Sequence, residues 1–125
     1  MYHALRHILV SLRPAEQRAA VPVDHAKENI LRIRDALLPY QSRIILTSEG
    51  LAPDPGPLAD YNKLLETIAN SYENVSYLDA ATRFHGYPAS KVFLDDCHLS
   101  DFGHGLLAEW LSERINKEAP NANTP

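Results

Sequence analysis

Asp95 and His98 lie three residues apart in the run Phe93-Leu94-Asp95-Asp96-Cys97-His98-Leu99-Ser100-Asp101-Phe102-Gly103-His104. In a loop, a carboxylate at that spacing can curl back to accept a hydrogen bond from one ring nitrogen of the histidine. Such a bond fixes the tautomer and leaves the other nitrogen as a base near neutral pH. Asp96 is an alternative orienter. Cys97 as a nucleophile is a third reading, although a cysteine adjacent to a histidine in sequence usually points away from it and no oxyanion donors are evident. A zinc site from Cys97, His98 and His104 lacks a recognisable structural-zinc spacing. His104 itself reads as a packed or capping residue at a helix start.

The elements that must hold this loop follow from the residues on either side. Ser100 has the side chain of a helix N-cap, and Asp101 puts negative charge on the first turn. Phe102, Leu106, Leu107, Trp110, Leu111 and Ile115 then recur at helical spacing, so a helix follows the loop. Upstream, Ala80 to Val92 is irregular, with Gly86 and Pro88, and reads as a long loop delivering the chain to Asp95. His85 within it reads as a surface residue.

The remainder of the chain supplies strands and helices in alternation. Tyr2, Leu5, Ile8, Leu9 and Leu12 share a face, which predicts a short helix, and Pro14 to Pro22 reads as a linker. His3 and His7 are four apart on that helix, but the zincin pattern needs a glutamate where Ala4 stands. A second helix is predicted from about Asp24 to Leu38, with Ala26, Ile30, Ile33 and Leu37 on its apolar face, Glu28 and Arg32 as an i,i+4 pair, and Pro39 ending it. Arg43 to Thr47 is a continuous β-branched run, as expected of a strand covered on both faces in a parallel sheet.

Ser48 to Pro57 is a loop rich in proline and glycine at the carboxyl end of that strand, where open α/β sheets bind ligands. Glu49 lies there and reads as solvated. Pro57 suits the first turn of a crossover helix whose face carries Tyr61, Leu64, Leu65 and Ile68. A strand from Asn74 to Leu78, ending at Asp79, completes a βαβ unit, expected to be right-handed.

The 125 residues have room for one domain, which would bury about two thirds of its unfolded surface. With 45% hydrophobic and 22% charged residues, the composition is that of a globular chain. A net charge of -4 and a pI near 5.8 argue against a nucleic-acid or anionic-membrane partner, which needs a concentrated basic face; the arginines of the N-terminal third are interspersed with Glu16, Asp24 and Glu28. The single cysteine allows no internal disulfide. No apolar run approaches a membrane span, and Ile8 to Val10 is too short for a signal-peptide core. A cytoplasmic location is the expectation.

The segment Asp95-Asp96-Cys97-His98, followed by Leu-Ser-Asp-x-Gly-His through His104 and then by Leu-Leu-Ala-Glu, resembles the last block of the SGNH (GDSL-type) ester hydrolases. Helix, strand, loop, helix, strand with a terminal Asp, then Asp-x-x-His and a helix resembles the C-terminal half of that family's domain over nearly the whole chain. The resemblance implies the following assignments. The fold is α/β, the C-terminal half of a flavodoxin-like three-layer α/β/α arrangement with a short parallel sheet, over residues 1–119, with a fraying tail at 120–125. His98 is the general base and acid, and Asp95 orients it. The substrate is an O-acyl or O-acetyl ester of a small molecule, carbohydrate or lipid, cleaved through an acyl-enzyme without cofactor or metal.

The family's Gly-Asp-Ser-type turn, the glycine of its second block and its Gly-x-Asn segment have no match in these residues. Of the serines, Ser48 comes closest by position, at a strand's carboxyl end. The chain by itself is therefore expected to be nearly inactive, because both nucleophile and oxyanion donors are missing. By the same resemblance the strand at 44–47 would have an open edge, where it is expected to self-associate or to pair with a missing N-terminal half. The competing expectation is a catalytically inactive remnant serving as a binding or interaction module.

Overall fold

The computed structural model describes residues 21–50 and 58–118. The expected helix at Tyr2 to Leu12 with His3 and His7, most of the linker before Pro22, the start at Pro57 and the tail at 120–125 lie outside the described residues. The chain divides into two compact units, Met1–Gln41 and Ser42–Pro125.

In the first unit, helix α1 spans Val23–Leu37, with Pro22 preceding it and Asp24 in its first turn. Ala26, Ile30, Arg34 and Leu37 are half-buried, whereas Ile33 is 58% exposed. The sheltered stripe thus runs through position 34, and Ile33, about 100° further round the helix, falls off it. No Glu28–Arg32 ion pair forms among the described residues; Arg34 bonds its neighbour Asp35 at 2.6 Å. A single 3-10 turn, Leu38–Tyr40, contains Pro39, and Gln41 leaves it in the left-handed region with φ 52°.

The second unit is a small mixed α/β body. Strand β1 (Ile44–Thr47) pairs in parallel with β2 (Val75–Leu78), Ile44 opposite Val75 and Thr47 opposite Leu78. Helix α2 (Ala59–Ser71) connects them and packs on both strands, as a parallel pair requires. Its Ile68 is buried, and Tyr61, Leu64 and Leu65 are half-buried, the face expected from their spacing.

Two short helices occupy the stretch that reads as irregular: α3 (Ala80–Phe84) and α4 (Ala89–Val92). Asp79 caps α3 by accepting from the Thr82 N–H, and Ala80, Ala81 and Phe84 are buried. Helix α5 spans Asp101–Glu118 and packs on β2, α3 and α4.

The core joins Leu78, Ala80, Phe84, Val92, Leu106 and Trp110, with Ile45, Phe93, Leu99, Leu107 and Leu111 packed around it. Leu78 and Val92 are fully buried, each contributing roughly 1.5–3 kcal/mol by removal from water. The Phe84 ring meets Trp110 at 5.1 Å and Phe93 edge-on at 5.7 Å. Of the apolar residues on α5, Phe102 and Ile115 stay about half exposed, and Gly103, Leu106 and Trp110 form the buried face. No helix among the described residues is long and apolar enough to cross a membrane.

Candidate active site

The loop Leu94–His98 is closed at its base by main-chain bonds. Phe93 and Leu99 form an antiparallel bridge, Leu94 N–H donates to His98 O at 2.8 Å, and Ser100 N–H donates to Val92 O at 2.8 Å. Below that base, Val92 and Phe93 anchor in the core.

Ser100 caps α5 as its type suggests, its hydroxyl accepting from the Gly103 N–H at 3.1 Å and donating to the Lys91 carbonyl. Gly103 is required by close approach: a Cβ there would be driven onto the Val92 carbonyl oxygen and against Leu99. The helix start is thereby pressed against the segment that leads into the loop.

Within the loop one carboxylate has two tasks. Asp95 Oδ1 accepts from the main-chain N–H of Cys97 at 2.9 Å and of His98 at 2.8 Å, a local turn held by the side chain. The same group meets His98 Nδ1, at 2.7 Å through Oδ2 and 3.0 Å through Oδ1. The main-chain donors of Cys97 and His98, and then the His98 ring, hold the Asp95 carboxyl well below the usual carboxylate range. Asp95 is therefore an anion at neutral pH. It favours the tautomer with the proton on Nδ1 and leaves Nε2 as the basic nitrogen. Asp96 makes no bond to His98 among the described residues, so Asp95 is the orienter.

The dyad stands in water. The side chains of His98 and Asp95 are 73% and 56% exposed. No hydroxyl is bonded to His98 Nε2 among the described residues. Burial and the charge of Asp95 push the Cys97 thiol up, helped by Asp96 and Glu49, which disfavours the thiolate that a nucleophile needs. His104 is exposed on the first turn of α5, and the set that converges is Asp95, Cys97 and His98 rather than the trio including His104. His85 is exposed, as expected.

The loop after β1 lies alongside this site. A Cβ on Gly50 would sit 3.4 Å from the Phe93 ring, and the Glu49 charge is felt at Cys97. Asn62 on α2 holds the loop: its Oδ1 accepts from Glu49 N–H at 3.1 Å and its Nδ2 donates to Glu49 O at 3.0 Å. Sequence patterning does not single out Asn62, because a lone amide on a helix carries no periodic signal.

Ser48 is buried, 3% exposed. It donates to Asp79 Oδ1 at 3.1 Å and accepts from Ala81 N–H at 2.8 Å, tying the end of β1 to the start of α3. Its hydroxyl is committed to structure. Burial pulls the Asp79 carboxyl up, but its bonds to Thr82 and Ser48 outweigh that and hold it below its ordinary value.

In comparisons with known proteins, no family model, curated protein or solved structure matches the chain.

Proposed function

We propose that the chain carries the general-base half of an SGNH (GDSL-type) ester hydrolase, with helices α2 and α5 and the parallel strand pair forming part of a flavodoxin-like three-layer α/β/α arrangement. The observation that carries this reading is the Asp95–His98 pair: an anion fixed by two main-chain donors and bonded to Nδ1, with no partner on Nε2 among the described residues. That is the geometry a base needs to take a proton from an attacking hydroxyl and return it to the leaving alcohol. The substrate class is an O-acyl or O-acetyl ester of a small molecule, carbohydrate or lipid.

In the reaction, His98 Nε2 accepts the hydroxyl proton as the oxygen attacks the acyl carbon, and Asp95 stabilises the imidazolium. The proton then passes to the departing alkoxide, leaving an acyl group on the attacking oxygen, and water repeats the sequence to release the acid. On this reading the attacking serine and the oxyanion donors come from outside these residues, since the sequence holds no Gly-Asp-Ser-type turn and no Gly-x-Asn segment.

p-Nitrophenyl acetate tests the base directly, because its leaving group departs without an oxyanion hole. At neutral pH the chain should hydrolyse it only slowly, for want of a serine and oxyanion donors, and a lower rate in His98→Ala would mark His98 as a working base against the background of the other five histidines. Equal rates for the two proteins would mean that His98 is no working base in the chain by itself, as in a half-site without its serine or an inactive remnant. A second reading, an interaction module, is supported by the absence of a hydroxyl on Nε2 among the described residues and by the free edge of β1.

A further inference from the structure

We propose that Asp95, Cys97 and His98 form a binding site for one thiophilic divalent cation of the zinc type, with a fourth coordination position open to solvent. One donor atom from each of these three side chains lies within 4.8 Å of the others. This set replaces the trio with His104 that the sequence brings to mind.

One pair already has the spacing of ligands on a tetrahedral ion, and the other two come to it by movement of the Asp95 side chain. Bonds of about 2.3 Å to sulfur and 2.0–2.1 Å to nitrogen put those ligands about 3.6 Å apart. Cys97 Sγ and His98 Nδ1 are 3.6 Å apart. A carboxylate oxygen and a ring nitrogen on the same ion are separated by roughly 3.3 Å. Asp95 Oδ2 stands at 2.7 Å from Nδ1, so it must draw back by roughly 0.6 Å, a small rotation for an exposed side chain. The loop itself does not have to form around the ion. It is already closed by the Phe93–Leu99 bridge and by the two N–H groups on Asp95 Oδ1.

The charges agree with the geometry. Asp95, Asp96 and Glu49 surround the thiol with negative potential, and the field that discourages a thiolate there attracts a dication. Binding replaces the thiol proton by the metal, and that proton leaves to solvent, so affinity rises with pH. Thiolate and imidazole donors select zinc, cobalt or copper over magnesium and calcium. Because the ion takes His98 Nδ1, it displaces the bond to Asp95 and moves the ring proton to Nε2. The metal-bound loop then presents no base, so the two states of the loop exclude one another.

The site does not depend on the hydrolase reading and is tested without an ester. The reduced full chain is titrated with Co²⁺ and read by its thiolate-to-cobalt charge-transfer absorption. That band is specific to Cys97, the only cysteine, whereas the six histidines could bind cobalt without it. The expected result is a band saturating at one equivalent, abolished by Cys97→Ser, weakened about tenfold or more in affinity by Asp95→Asn and by His98→Gln, and bleached by Zn²⁺. All three side chains are exposed, and unchanged far-ultraviolet circular dichroism checks that the variants fold. No band, saturation at half an equivalent, or an affinity indifferent to Asp95→Asn would overturn the proposal.

Discussion

At the scale of single residues, Asp95 combines two functions that substitution can separate. Asn at this position keeps an oxygen for the N–H groups of Cys97 and His98 but loses the charge that orients His98. Asp95→Asn should therefore retain the loop and lose base activity, whereas Asp95→Ala should lose both, which amide exchange at Cys97 and His98 beside ester hydrolysis will separate. The acid dependence has a definite sign. A carboxyl whose folded pKa is depressed adds stability above its unfolded value, near 4, and loses it as pH falls from there toward the lower folded value. Urea midpoints should accordingly fall more between pH 5 and pH 3 in the wild type than in Asp95→Asn, and added salt should shrink the difference, since the group is exposed. Ser48 offers a buried contrast. Ser48→Ala strands the Ala81 N–H and removes a donor from Asp79, which should cost about 1–3 kcal/mol in urea unfolding. The Asp95–His98 contact was legible because three residues of loop confine both groups. The Ser48–Asp79 and Asn62–Glu49 bonds span 31 and 13 residues, and nothing local encodes them before the strands are in register.

At the scale of elements, helical periodicity and β-branched runs served where an element was long enough to show them. The reading at Arg43 to Thr47 became β1 at Ile44–Thr47, and Asn74 to Leu78 became β2 at Val75–Leu78. Helices α3 and α4, five and four residues long, offer barely one turn and so no period to detect. They exist because Ala80, Ala81, Phe84 and Val92 are buried, a tertiary cause that outweighs weak local propensity. Their visible signals were small ones, the Asp79 cap and the proline before Ala89. The junction of α4 with α5 can be tested by a pair of glycines on one helix. Gly103→Ala forces a methyl onto the Val92 carbonyl and should destabilise by about 1–3 kcal/mol. Gly105→Ala meets nothing within 4 Å and should stabilise by about 0.5–1 kcal/mol through helix propensity. Opposite signs for the same chemical change, two residues apart, are what urea midpoints should show; equal signs would mean that α5 does not press on Val92.

At the scale of the whole molecule, the two edges of the sheet differ. In a parallel ladder, alternate residues turn their main chain toward the neighbouring strand. Ile44 and Ser48 donate to β2, so Ile45 and Thr47 face the other way, and their main-chain groups have no partner among the described residues. On the far side of β2 the equivalent carbonyl of Tyr77 is occupied, accepting from Arg114 of α5 at 2.8 Å. One edge is thus blocked by a charged side chain, and the other remains a template for a further strand. A second copy of the chain can supply that strand, and Thr47→Pro isolates the effect. Proline removes an N–H that the β1–β2 ladder does not use, and it favours the extended backbone that Leu46 already has. Sedimentation velocity over rising concentration should show the wild type self-associating and Thr47→Pro remaining monomeric, with the same far-ultraviolet circular dichroism. A wild type that stays monomeric would overturn pairing at the β1 edge, and an association that Thr47→Pro leaves intact would place it on another surface. The same edge would serve a hydrolase whose nucleophile arrives on another chain, since β1 runs directly into Ser48, Glu49 and Gly50, beside the loop that holds His98.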